Sequence, residues 1–140
     1  DYSELSVKSS EKLNSKNILC NKAKILQASV SDMPFDDNTF DNITAVETYY
    51  FWPDKENDVK EVFRVLKQGG TVMLLFEMLR TDDDPFKWEK VENMLNIKSV
   101  TPQEIRAVLE SAGFENINTY TKEGTTWLCA TAQKPKDDEN

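Results

Sequence analysis

Four consecutive aromatic residues, Tyr49-Tyr50-Phe51-Trp52, are the densest chemical signal in this 140-residue chain. Aromatic faces attract cations and wall apolar substrates, and a tyrosine can also act as a base where a substrate needs deprotonation. The competing reading is ordinary packing of a loop. Glu47 stands just before them and could be a ligand-facing or a solvated carboxylate. Histidine is absent, which excludes a histidine-based catalytic triad and any histidine-ligated zinc site. Asp82-Asp83-Asp84 carries three carboxylates in a row but has no partner pattern, so it reads as a solvated loop and no metal is assigned.

The elements that must position these residues are legible from periodicity. Ser3 to Asn14 reads as a helix that Ser3 caps. Ala23 to Ser29 is an apolar run of strand length, and Asp32 to Asn38, with Pro34, is a loop. Phe40 to Thr48 rises into a second strand. Asp54 occupies an N-cap position, and Val59, Val62, Phe63 and Leu66 follow as one apolar helical face that Gly69-Gly70 should close. Thr71 to Met78 is the most apolar run and predicts a strand buried on both faces. Phe86 to Leu95 suggests a short helix. Thr101-Pro102-Gln103-Glu104 has capping-box spacing, with Ile105, Val108, Leu109 and Ala112 as the buried stripe and Gly113 as the stop. Phe114–Thr121 and Thr125–Gln133 flank Lys122-Glu123-Gly124 as an antiparallel hairpin. Alternating strands and helices predict an α/β layered sheet over residues 1–133. Residues 134–140 read as a polar, acidic, frayed tail.

Charge narrows the partners. With 25 acidic and 17 basic residues the formal net charge is −8. That argues against a nucleic-acid phosphate track and against attraction to an anionic membrane, and no apolar run is long enough to span a bilayer. Cys20 and Cys129 lack metal-ligand spacing and, as free thiols, fit a reducing cytoplasm.

Four pieces of wording go beyond periodicity. Asp32-Met33-Pro34-Phe35-Asp36-Asp37-Asn38-Thr39-Phe40-Asp41 resembles the "LPF-x-D-x-SFD" stretch of class I S-adenosylmethionine-dependent methyltransferases. Lys60 to Gly70 (KEVFRVLKQGG) resembles their "E-x-x-RVLKPGG" helix end, with Gln68 in place of the proline. Ser111-Ala112-Gly113-Phe114 resembles their "EAGF" strand entry. Asp1-Tyr2-Ser3 resembles the "GxDxS" that ends their second strand. The pieces stand in the family's order and spacing across nearly the whole chain.

The resemblance implies a Rossmann-like methyltransferase sheet of spatial order 3-2-1-4-5-7-6. Ala23–Ser29 would be strand three, Phe40–Thr48 strand four, Thr71–Met78 strand five, and the closing antiparallel hairpin strands six and seven. Strands one and two, with the glycine-rich loop between them, have no counterpart here, so the fold is expected to be truncated at its N-terminal side. In the family those strands separate strand three from strand four. Their absence predicts bare apolar edges, relieved by homodimerisation, by strand exchange, or by direct pairing of strand three with strand four.

The resemblance also implies site residues for S-adenosylmethionine. Asp1 would bond the ribose hydroxyls, though as a first residue it could equally have no role. Ser29 and Val30 would form the adenine turn, with serine where the family carries aspartate. Val46 and Glu47 would touch the cofactor through their backbone at the carboxyl edge of the sheet. Tyr49, Tyr50 and Trp52 would face a small-molecule substrate. The expected activity is methyl transfer to that acceptor by the intact enzyme, with the isolated chain inactive. The alternative is a non-enzymatic α/β module for interaction or oligomerisation.

Overall fold

The computed structural model describes residues 1–136. Its centre is a four-stranded sheet in the order β1-β2-β4-β3, where β1 is Phe40–Val46, β2 Leu66–Phe76, β3 Glu115–Thr121 and β4 Leu128–Gln133. β1 and β2 run parallel, and β4 is antiparallel to both β2 and β3. This is the sheet expected for strands four, five, seven and six, with the hairpin closing one side. Residues 137–140 of the expected tail lie outside the described residues. No helix among the described residues is long and apolar enough to cross a membrane.

The crossover from β1 to β2 is made by α3 (Lys55–Val65). Its first turn is capped twice: Asp54 accepts from Asn57 N–H, and Asp58 accepts from Asp54 N–H. Val59, Val62 and Val65 then fall on the buried stripe. α5 (Pro102–Ser111) packs beside it. The capping box of Thr101 and Glu104 is present as expected, and Gly113 stops the element with a positive φ of 98°. Both helices cover one face of the sheet, where Val72, Leu74, Phe76, Leu128, Ala130 and Ala132 are at most 1% exposed. Phe63 of α3 meets Phe114 edge to face at 5.0 Å.

The expectation that β2 is buried on both faces holds fully for one. Thr71, Met73 and Leu75, on the opposite face, are only half-buried, because the helix pair lies on one side. The N-terminal helices, α1 (Glu4–Leu13, capped by Ser3) and α2 (Ser15–Leu19), leave Leu5, Leu13 and Leu19 76%, 86% and 83% exposed. Between α5 and β2 in the chain, α4 (Glu89–Leu95) forms the short helix expected there and ends at Asn96 in the left-handed conformation.

Two expectations are corrected. Ala23–Ser29 is not a strand of the sheet. A strand needs neighbours for its backbone groups, and this segment finds only scattered ones: Ala28 N–H donates to Asp1 O at 3.0 Å, Asp1 N donates to Leu26 O at 3.4 Å, and Ala23 N–H donates to Asn17 O at 3.2 Å. It does not pair with β1 among the described residues, so the direct strand-three to strand-four repair does not occur. Second, Gly69-Gly70 does not cap α3. The helix ends at Val65 and Leu66 is already extended. Its last carbonyls are taken by other elements, so a left-handed cap is not required. Asn38 N–H donates to Arg64 O, Thr39 N–H to Val65 O, and Lys134 Nζ to Phe63 O and Leu66 O. Lys134, expected in a frayed tail, is 5% exposed and lies over the Phe63 ring at 4.6 Å. The glycines instead form an irregularity inside β2, with Gly69 at φ 73° and Gly70 packed against Asp41 O.

Candidate functional site

Parallel strands end together, and their carboxyl ends are where open α/β sheets present ligand-facing residues. Here β1 and β2 deliver Val46-Glu47 and Glu77 to that edge. Val46 is 50% exposed. Glu47 leaves the strand in the left-handed region, at φ 57°, while its N–H still donates to Leu75 O at 3.0 Å. A non-glycine residue held there is under local strain. Its Oε1 is buried without a hydrogen-bond partner among the described residues. Burial is the main reason its carboxyl is pushed above the ordinary range; the Glu77 backbone N–H opposes the shift and the Glu77 charge adds to it.

Immediately beyond, the short 3-10 helix Tyr49–Phe51 turns the aromatic cluster inward. Tyr49, Tyr50 and Trp52 are 6%, 5% and 9% exposed, whereas Phe51 is 50% exposed. Both tyrosine rings meet Phe76 edge to face, at 5.6 and 5.7 Å, and Trp52 stacks obliquely on Tyr49 at 5.2 Å. Tyr50 Oη accepts from Met78 N–H at 2.9 Å. The cluster is therefore core packing first. Burial pushes both phenols up to about 12, which keeps them protonated near neutral pH and weighs against the tyrosine-base reading.

Tyr49 and Tyr50 nevertheless form one wall of a cleft of about 460 Å³, closed on the other side by residues 96–100 and the start of α5. Trp52 is not among its lining residues. The opposite wall is fastened to an extension of β2: Arg80 N–H donates to Val100 O and Val100 N–H to Met78 O, at 2.7 and 3.1 Å. Arg80 bonds Ser99 O at 3.0 Å and pairs with Glu104, and the Glu92 carboxylate takes both Ser99 N–H and Oγ–H.

The remaining expected residues, Asp1, Ser29 and Val30, lie together where the chain start meets the segment at residues 26–30. Ser29 Oγ accepts from Ser31 N–H at 3.2 Å, forming a tight turn, and Val30 is half-buried against the core. The Asp1–Ala28 bond places Asp1 beside that turn. Asp1 is exposed, and its Oδ1 caps Ser3 N–H at 2.8 Å. The turn's continuation is fixed to α3 by two residues of the helix-end motif. Glu61 Oε1 accepts from Met33 N–H, while Arg64 donates to Met33 O, Phe35 O, Asp37 and Glu61. Arg64 and Glu61 hold each other charged: the paired carboxylates raise the guanidinium pKa, and the guanidinium lowers that of Glu61. Sequence reasoning found these residues as wording but missed them as a clamp. The i,i+3 Glu/Arg spacing was the available signal. Arg80 and Ser99 left no local signal and Glu104 signalled only its capping box, because the three meet only through the fold.

Residues 1–74 match the family model described as "Methyltransferase domain". Among curated relatives, the uncharacterized methyltransferase YdaC of Bacillus subtilis is 29% identical over 89% of this chain. The ubiquinone/menaquinone biosynthesis C-methyltransferase UbiE of Cronobacter sakazakii is 32% identical over 81% of it. The chain spans 64% and 54% of the lengths of these two relatives. Among solved structures, a SAM-dependent methyltransferase from Aquifex aeolicus superposes with a TM-score of 0.73 at 18% identity, covering 95% of this chain and 65% of that one. The parallel β1-α3-β2 unit, the four motifs in register and the family match over the first 74 residues agree, and on that ground the chain belongs to the class I S-adenosylmethionine-dependent methyltransferases.

Proposed function

We propose that this chain is the adenosine-facing and acceptor-facing part of an enzyme that transfers a methyl group from S-adenosylmethionine to a small-molecule acceptor. The observation that carries the reading is Glu47, a strained residue with an orphaned buried carboxylate oxygen at the carboxyl end of β1. A buried acceptor without a donor is costly in a finished site, and a hydroxyl- or N–H-bearing ligand would relieve it. Asp1 has a second carboxylate oxygen suited to a diol, and Ser29 Oγ retains a donor for a heterocycle. These groups fit the adenosine part of the cofactor. Bound there, S-adenosylmethionine would supply an electrophilic methyl group. The chain's own part is to orient the ligands and exclude water from the space beside Tyr49 and Tyr50.

The methionine end is a different matter. The four glycines of these 140 residues stand at positions 69, 70, 113 and 124, and none forms a turn at the carboxyl edge that could cradle an amino acid. We therefore propose that the isolated chain binds nucleoside but does not turn over. Isothermal calorimetry with S-adenosylhomocysteine tests this. Binding in the range of about 0.1–1 mM is expected, and no heat at several millimolar ligand would overturn it. A second reading, an association module, is favoured by the exposed Leu5, Leu13 and Leu19 and by the edge of β1, which has no strand neighbour on its outer side among the described residues.

A further inference from the structure

The cleft beside the aromatic cluster is electrically at odds with the rest of the molecule. The whole chain has eight more acidic than basic residues. The charged residues lining this cleft are Lys55, Arg80 and Lys98 against the single carboxylate of Glu104. Arg80 is fixed by Ser99 O and Glu104, which leaves other N–H groups of its guanidinium fork unused. Lys55 Nζ is held by Tyr50 O at 3.3 Å and Trp52 O at 3.1 Å, over the Tyr49 ring at 5.3 Å. An ammonium has three donors, so one remains. Lys98 makes no hydrogen bond or ion pair among the described residues; the nearby Glu92 carboxylate, whose Oε1 takes Ser99 N–H and Oγ–H, attracts Lys98 and Arg80 only at longer range.

These three cations come from three different elements: the start of α3, the extension of β2, and the segment after α4. The apolar floor between them is Tyr49, Ile97, Val100 and Ile105, all buried. The volume, about 460 Å³, lies in the usual range for a small-molecule site. Desolvation lowers the Lys55 pKa, and the nearby Asp58 carboxylate offsets part of that.

We infer that this cleft is the acceptor pocket and that it takes a small organic acid, with an apolar body on Tyr49 and Ile97 and a carboxylate held by Lys55, Arg80 and Lys98. A singly charged carboxylate suits the lining better than a dianionic phosphate, because Glu104 stands among the cations. The identification of the ligand as the acceptor rests on the methyl-transfer reading above. The anion site itself rests on the cleft alone.

The test is an amide-resolved NMR titration of the chain with sodium benzoate, benzamide, benzylamine and inorganic phosphate. Benzoate should give saturable shifts at the amides of Arg80, Lys98 and Ser99. Benzamide and benzylamine should bind about tenfold more weakly or not at all, since a charge-assisted bond contributes roughly that factor. Lys98→Gln, at an exposed position, should weaken benzoate by about tenfold without loss of fold, verified on the same spectra. Equal binding of benzamide would overturn the charge selection. Tighter phosphate binding would overturn the carboxylate, and shifts confined to other surfaces would overturn the site. Benzoate binding together with failure to bind S-adenosylhomocysteine would sink the methyl-transfer reading and leave the anion site standing. The converse result would sink the anion site alone.

Discussion

At the residue scale, Arg64 and Glu47 carry the most specific expectations. Arg64 ties two carbonyls and two carboxylates of different segments into one clamp. Lysine cannot reproduce that planar fork. In Arg64→Ala, amide exchange at Met33, whose N–H is held by Glu61, should accelerate by about tenfold or more. Thr39 should be unaffected, because it bonds the backbone carbonyl of Val65. Equal acceleration at both would show global unfolding and not a released loop. Glu47 gives a pH signature. Its folded pKa lies above the ordinary value of 4.5, so the folded state binds the proton more tightly than the unfolded one. Stability tied to this group is present below that value and is lost as pH rises through the raised one. Glu47→Gln should therefore raise the melting temperature by a few degrees at pH 7 and much less near pH 4. A gain of equal size at both pH values would refute burial as the cause. Much of this was readable beforehand as position: Glu47, Tyr49 and Tyr50 sit where the strand pattern put them. The inward turn of the rings was not readable, because it depends on Phe76, a partner supplied by a different strand.

At the element scale, most helices and strands followed from caps and periodicity, α2 excepted, and the corrections have one common origin. Ala23–Ser29 has strand composition but too few backbone partners, and Gly69-Gly70 has helix-stop composition but a helix end already satisfied by Asn38, Thr39 and Lys134. Both depend on what lies alongside, which local sequence does not encode. The glycine pair has its own requirement. A Cβ on Gly70 would stand 2.8 Å from Lys67 O and 2.9 Å from Asp41 O. Backbone atoms at that distance must shift, and the β1-β2 pairing would shift with them. Gly70→Ala should cost about 2–3 kcal/mol, measured by urea denaturation. A cost below about 0.5 kcal/mol would mean that the strands separate freely there.

At the scale of the whole molecule, the sheet has two unlike sides. One edge is β3 of the antiparallel hairpin and the other is β1 of the parallel pair, and neither has an outer strand neighbour among the described residues. Exposed Leu5, Leu13 and Leu19 add apolar surface on the N-terminal helices. Such an edge recruits another chain. Light scattering should show a mass that rises with concentration over the micromolar range. Thr44→Lys, which places a charge at an exposed position of β1, should shift the mixture to monomer. A concentration-independent monomer for the unsubstituted chain would contradict the expectation.

The central claim is that residues 1–136 contain an adenosine half-site built from Asp1, the Ser29–Val30 turn and the end of β1. The most direct measurement is an amide-resolved NMR titration comparing adenosine with S-adenosylhomocysteine. The prediction is that both ligands shift Ser29, Val30, Val46 and Glu47, with affinities within about threefold of one another, because the amino-acid end of the larger ligand finds no partner. Saturable binding that leaves all four amides unmoved would contradict the claim.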